Sequence, residues 1–558
     1  MVLTLALAAL GLVALPTLAD APNQVASSWV ITGLLSDPQG QAIEGAHISA
    51  HSGDSDEALL ETESQHDGTW ALQLEVLPQD VLVIEVGHPH FEDTITTLQG
   101  DDLERLRDRG SLSLGESALT RQITPGFWAA AAIFLGVLLL IAFEKLHNTT
   151  AALVGLSAVF VISYVVGIFN PGYYIMGFER AMTYINWEVI FLVMGMMIVI
   201  AVIERTGIFQ WTAFQAYRLS RGRTWLLVLI LMAFTAVASA LLDNFTTMLL
   251  MAPISLQIAL ALGIDPLSLI IPEVMASNVG GISTLIGTPT NILIGAYADI
   301  GFSDFLANQT AGVVAALIVM GAYVLWHYRA EWRKHSGGIS ERLYTRLEQN
   351  AQLEDPQGLL KSGIVFVLIL AGFVLGENFH IVPAVPALVG ATILLIWLKP
   401  NIHAMIQAVD WTTLVFFMAL FIVVGAVQEV GLLGVAAEWM AGVIDSSLSL
   451  GILVMVLGVG TLSLVVANIP LAASFLPIVE FLSGSIPGAS NKALYYALSM
   501  GAAMGGNGLL ISAEANLVTA GITRQADTPI SFAAFLKVGL PVTYLTLLVG
   551  FAWLLIRF

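Results

Sequence analysis

Long apolar runs dominate the chain from Gly126 to its end, and a run of about 20 apolar residues is enough to cross roughly 30 Å of hydrocarbon. No single soluble core absorbs that many. Composition agrees: 57% of the residues are hydrophobic and 11% charged, with mean hydropathy +0.83, against about 25% charged in a soluble domain. A polytopic α-helical membrane protein with a small exported β-sandwich at its N-terminus is therefore expected.

Residues 1–21 resemble a secretory signal peptide: Leu3–Leu15 is apolar, and Leu18-Ala19-Asp20-Ala21 offers small residues for cleavage. No Lys or Arg precedes the run, so an uncleaved anchor is the alternative. Either way residues 22–122 are exported. Alternating segments at Trp29–Leu35, His47–Ala50, Thr69–Leu74 and Val81–Val86 predict strands. Asp37-Pro38-Gln39-Gly40 and His66-Asp67-Gly68 predict turns. Between Asp20 and Arg121 there are 19 acids and 4 arginines, so nucleic acid is a poor partner. The chain has no cysteine, which removes disulfides, thiolate catalysis and Cys-ligated metals. His88-Pro89-His90 is read as surface histidine, with a metal site as the minor alternative.

Crossings are expected at 126–144, 150–168, 187–203, 270–298 and 310–328, then at 362–380, 383–398, 412–428, 493–522 and 537–556. The stretches 224–262 and 450–485 are long, broken and expected to be re-entrant hairpins. Between the halves, 329–361 is a charged linker. The series repeats internally. Trp187 and Trp411, Met194 and Met418, Gly207 and Gly431, Asn244 and Asn468, and Pro253 and Pro477 are each 224 residues apart. One residue is then inserted, so Gly280-Gly281 matches Gly505-Gly506 and Asn291 matches Asn516. This places repeat 1 at 126–328 and repeat 2 at 362–558, each with five crossings and one hairpin.

Loop charge sets orientation, because cytoplasmic loops collect Lys and Arg. The 205–223 loop carries Arg205, Arg218, Arg221 and Arg223, whereas its counterpart 429–447 carries Glu429, Glu438 and Asp445 with no base. The repeats are expected to be inverted, with both termini on the outer side of the inner cell membrane; Lys492 opposes this weakly. Inverted repeats with interrupted helices are the build of secondary transporters. Irregular backbone at membrane depth must be buried or line a cavity, where its freed amides and carbonyls can serve ions.

Four breaks are expected to converge: around Asp243, Asn244 and Thr247; around Asn278 and Thr288–Asn291; at Asn468; and around Asn507, Ser512, Glu514 and Asn516. Asn, Ser and Thr supply neutral oxygens. Asp243 and Glu514 are acids inside apolar spans, which marks them as functional candidates. Alternatives stay open. The Asn and Asp residues could simply cap helices, Glu514 could reach an aqueous vestibule, and Gly280-Gly281 and Gly505-Gly506 could only permit close packing. Glu204 is read as interfacial beside Arg205.

The segments Leu242–Pro253, Asn278–Asn291 and Gly505–Asn516 resemble the ion transporter superfamily, most closely its arsenite-permease, NhaD-type antiporter and P-protein branch with a citrate-transporter-like domain. In the exported part, Gly33, Asp37, Gly40, Ile43, Gly45-Ala46 and Asp67-Gly68 resemble the carboxypeptidase regulatory-like domain. The transporter resemblance implies a homodimer with a scaffold and an elevator-like transport part. It also implies two half-sites, Asn244 and Thr247 with Gly287–Asn291, and Asn468 with Ser512–Asn516. Two departures stand out: Ala467 replaces the Asp usual before Asn468, and Glu514 enters a loop that is usually small or Pro-rich. No enzyme is expected, since no nucleophile–base pair or His-Glu-x-x-His lies in the spans. No cofactor is expected beyond a coupling Na+ or H+, bound by Asp243, Asn244 and Asn291 and by Asn468, Glu514 and Asn516. Na+/H+ exchange is favoured over coupled uptake of an anion, a carboxylate or arsenite. A sensor with an exported ligand-binding domain is the distant alternative.

Overall fold

The computed structural model describes residues 28–37, 40, 42–53, 57–143, 145–334, 348–349, 352–444 and 447–558. The expected signal segment, Pro38 and Gln39 of the first turn, Asp445 and much of the 329–361 linker lie outside them. Contacts group the chain into two units that meet at Gln122 and Ile123.

In the first unit seven strands form two sheets. β1 (Trp29–Ser36), β4 (Thr69–Leu74) and β7 (Ser111–Ala118) make one, in the order β4-β1-β7. β2 (His47–Ser52), β3 (Ala58–Glu63), β5 (Val81–His88) and β6 (Phe91–Gln99) make the other, in the order β3-β2-β5-β6. Ile31, Leu72 and Leu74 from one sheet share a core with Ile48, Leu82 and Ile84 from the other, the inward alternation a sandwich requires. The strands β3, β6 and β7 and the helix Asp101–Arg109 were not among the sequence expectations. β3 and β7 hold no fully buried residue; β7 still alternates at Ser111–Leu114, with Leu112 and Leu114 against the core, a signal the sequence reading passed over.

The second unit is helical. Among the described residues, nine helices are long and apolar enough to cross a membrane, or ten if the bent pair Leu432–Ile444 and Leu448–Leu462 counts as one span. The chain is a multi-pass membrane protein. Its two halves repeat element by element. Helix Trp187–Glu204 matches Trp411–Glu429, and Asn244–Leu262 matches Asn468–Ser485, with Pro253 and Pro477 both inside their helices.

One expectation is corrected. The segments 205–223 and 429–447, read as loops, contain the helices Ile208–Ser220 and Leu432–Ile444. Each follows a glycine with positive φ, Gly207 at 80° and Gly431 at 85°, which turns the chain sharply out of the preceding span. At 13 residues these helices are too short to span, and the polar residues on the first hid it. Helix Phe302–Lys334 also runs beyond residue 328. Helix Pro356–Gly376 begins before 362, because Asp355 caps it by accepting from Gly358 N at 2.8 Å.

The first broken stretch, expected to be re-entrant, folds back on itself, and each of its arms, Thr224–Leu241 and Asn244–Leu262, is by itself long and apolar enough to cross a membrane. Thr235 bonds Glu273 and Ser277 bonds Ser239, both across a separation of 38 residues. A constant offset means that helices Thr224–Leu241 and Leu267–Gly280 run parallel. The helix between them, Asn244–Leu262, therefore returns the chain to the side it came from. The parallel pair touches backbone to backbone: a Cβ on Gly280 would lie 2.4 Å from Ala236 Cα, and one on Gly505 would lie 2.4 Å from Gly460 O at the corresponding place in repeat 2.

Candidate ion and substrate site

Both crossings that carry the Gly-Gly pairs break after them and restart as short helices, Pro289–Ala298 and Glu514–Gln525. The residues before the restarts, Thr288 and Ala513, have nearly the same backbone angles, φ −145° and −143°. One asparagine holds each turn. Asn291 Nδ2 donates to the carbonyls of Ile282 at 3.0 Å and Thr284 at 2.8 Å. Asn516 Nδ2 donates to those of Gly506 at 2.8 Å and Leu509 at 3.0 Å. Both asparagines are fully buried, so these bonds satisfy carbonyls that the helix breaks release.

The asparagines also join the two repeats. Asn278 is the hub. Its Oδ1 accepts from Asn244 Nδ2 at 2.9 Å, and its Nδ2 donates to Asn507 Oδ1 at 2.9 Å and Asn516 Oδ1 at 3.0 Å. Asn507 continues to the Met275 carbonyl at 3.3 Å. Asn291 is tied across differently, with its Oδ1 accepting from Ser499 Oγ at 2.6 Å, and Ser499 in turn accepting from Gln309 at 2.9 Å.

The acids lie beside this cluster. Asp243 ends the first hairpin arm at φ 146° and ψ 159°, a conformation that costs a non-glycine residue about 1–3 kcal/mol. It caps the return helix by accepting from Thr246 N at 2.7 Å. Asp243 and Glu514 line one small cavity of about 20 Å³, with Phe245, Pro289 and Thr413. That is room for one water-sized particle. It adjoins an open vestibule of about 690 Å³, which Glu514, Phe245 and Thr413 also line. Glu204, Asp410, His147 and Asn148 lie in the vestibule wall. Asp410 caps helix Trp411–Glu429, accepting from Thr412 N at 3.0 Å and Thr413 N at 3.2 Å.

The structure thus brings Asn244, Asn278, Asn507 and Asn516 into one network, and Asp243 and Glu514 into one cavity. Thr288 accepts from Asn291 N at 3.1 Å, and Ser512 donates to the Leu509 carbonyl at 2.6 Å, so both hold their turns locally. Thr247 Oγ1 and Asn468 Oδ1 are buried without a partner among the described residues. No bond joins Asp243, Asn244 and Asn291 directly: Asp243 turns to its own helix, Asn244 to Asn278 and Asn291 to Ser499. Among the described residues no three of His, Cys, Asp and Glu are grouped to hold a metal ion. Sequence reasoning passed over Glu273, Ser499 and Asp410 and discounted Glu204. Glu273 was legible by the rule that marked Asp243, an acid within an apolar run. It has no counterpart, because Leu498 stands at the matching position.

Comparison with known proteins gives the same picture. Residues 138–492 match the model of the citrate transporter family, CitMHS. An uncharacterized transporter of Synechocystis is 33% identical over 451 residues, covering 76% of this chain and 96% of the relative. One from Mycobacterium tuberculosis is 35% identical, covering 77% of this chain and 98% of its own. Human P protein is 32% identical, covering 76% of this chain and 59% of its own length. Among solved structures, the Alcanivorax borkumensis YdaH transporter superposes with TM-score 0.50 at 14% identity, over 73% of this chain and 98% of its own, a likeness of fold. Repeated broken helices, a buried amide network at the breaks and these relatives agree: the chain is a secondary transporter, not an enzyme, and belongs to the citrate transporter family.

Proposed function

We propose that this transporter exchanges cations, with Na+ and H+ competing at the cavity shared by Asp243 and Glu514. The observation that carries this reading is the lining. The vestibule walls hold Glu204, Asp410 and Glu514, and no Lys or Arg among the described residues. Acids in a low-dielectric cleft concentrate cations and repel anions. The inner cavity admits one particle the size of a water, which suits a stripped cation or a proton carrier. The mouth residues His147–Thr149, Glu204 and Gln407–Thr413 belong to segments that the charge pattern assigns to the cytoplasm. On that assignment the vestibule opens inward, and the termini and the β-sandwich lie outside the inner membrane. A homodimer whose hairpins and broken helices move as an elevator completes the reading.

Purified protein in proteoliposomes tests it. A Na+ gradient is expected to drive proton movement in the wild type, and Asp243→Asn is expected to abolish it. Unchanged flux in Asp243→Asn would remove Asp243 from the mechanism. Deleting residues 22–120 is expected to leave flux in place; loss of all flux with an intact fold would favour the sensor. The family's description supports a second reading, citrate uptake. Citrate in an acid-lined vestibule needs its charge offset by bound cations, so citrate uptake that depends on Na+ or H+, without Na+/H+ exchange, would select that reading.

A further inference from the structure

Glu273 is the one acid within the helix Leu267–Gly280 and is 0% exposed. Its Oε1 accepts from Thr235 Oγ1 at 2.9 Å, and the Ser255 hydroxyl faces it from the return helix. Its Oε2 and Ser255 Oγ are buried without a hydrogen-bond partner among the described residues. Helices Thr224–Leu241 and Asn244–Leu262, which pack on either side, carry no ionisable side chain. The other elements packed against it carry Asp304, Tyr323, His327, Tyr328, Arg329, Glu331, Arg333 and Lys334; Tyr495 and Tyr496; Glu514 and Arg524; and Lys537, Tyr544 and Arg557. None of these bonds Glu273. A carboxylate held this way is costly to leave charged, and a proton is the ion that fits where helices touch backbone to backbone.

The site lies one helical turn from the amide network. Glu273 and Ser277 are one turn apart on the same helix face, as are Thr235 and Ser239 opposite. Ser277 Oγ lies 3.2 Å from both Ser239 Oγ and the Asn244 carbonyl, and Ser239 donates to the Ser277 carbonyl at 2.8 Å. Ser277 has one hydroxyl proton, so it bonds either Ser239 or Asn244 at a time. Asn278, the hub, lies about 7.5 Å further along the helix from Glu273.

We propose that Glu273, with Thr235 and Ser255, is a proton-binding site of the transport unit, separate from the Asp243–Glu514 cavity and linked to the amide hub through Ser277. It deepens the cation-exchange reading and rests on it for its role in coupling. Glu273 takes up the proton at Oε2 and in the protonated form donates that O–H towards Ser255 Oγ, which accepts, so uptake makes one O–H bond and release breaks it.

Infrared difference spectra of the full chain in lipid, recorded across pH, test it. A carboxylic C=O band that titrates is expected in the wild type, in Asp243→Asn and in Glu514→Gln. It is expected to be absent in Glu273→Gln, shifted in Glu273→Asp, and displaced in midpoint by Thr235→Val. A full set of titrating bands in Glu273→Gln, or a Glu273 band that never titrates, overturns the proposal. Should Glu273→Gln fail to fold, an unshifted band in Glu273→Asp overturns it instead. The two readings separate: a titrating Glu273 band without Na+-driven proton movement in the wild type would sink the exchange reading and leave the site standing.

Discussion

The two repeats of this transporter agree in the turns that shape the backbone and disagree in the acids. Asn291 and Asn516 bind equivalent carbonyls, and Gly280 and Gly505 make equivalent backbone contacts. At the hairpin tips, by contrast, Asp243 faces Ala467, and at the helix restarts Pro289 faces Glu514. The reason at the tips is local. Asp243 caps the amide three residues on, Thr246; three residues after Ala467 stands Pro470, which has no N–H to cap. The backbone there is relaxed, with φ −54° at Ala467 against 146° at Asp243. Symmetry is retained where geometry demands it and abandoned where charge is placed, so that both acids reach one cavity instead of two.

That contrast can be broken or sharpened, starting with the largest effect. Replacing Asp243 by Asn is expected to abolish Na+-driven proton flux while leaving the unfolding midpoint nearly unchanged, because Asn caps a helix about as well as Asp. Asn291→Ala and Asn516→Ala are expected to destabilise by similar amounts, about 2–5 kcal/mol for two freed carbonyls each. Thermal unfolding of the two variants checks this, and a large difference between them would break the symmetric half of the comparison. Asp243→Gly is expected to raise the unfolding midpoint, since it releases about 1–3 kcal/mol of backbone strain against a few tenths for the cap, while flux is lost. Ala467→Asp is expected to be the mildest. It gains no cap at Pro470, lowers stability by about 1 kcal/mol through burial of a polar group, and leaves flux measurable in the same liposome assay.

Much of this was legible beforehand for a physical reason. Gly, Pro and Asn at one register within apolar runs mark helix breaks, because few other residues tolerate them there. The spacing of 224, and of 225 after one inserted residue, therefore exposed the repeat and both Asn pairs. The short helices Ile208–Ser220 and Leu432–Ile444 were not legible, being too short to span. Nor was the role of Asn278 as hub, since it has Ala503 as its counterpart and its bonds run to Asn507 and Asn516, more than 200 residues away. Glu273 was readable as an acid in an apolar run, but not as an acid with one oxygen left over.

The order of the chain alone determined that it lies in a membrane, that it is built twice and that its helices break at four places. Those properties follow from local hydropathy and backbone preference, which each segment carries with it. Only the tertiary structure decided that Asn278 ties the repeats together, that Asp243 and Glu514 share a cavity while Asn291 turns to Ser499, and that Glu273 faces two hydroxyls. Such contacts depend on how helices distant in sequence pack, and no segment encodes its partner by itself.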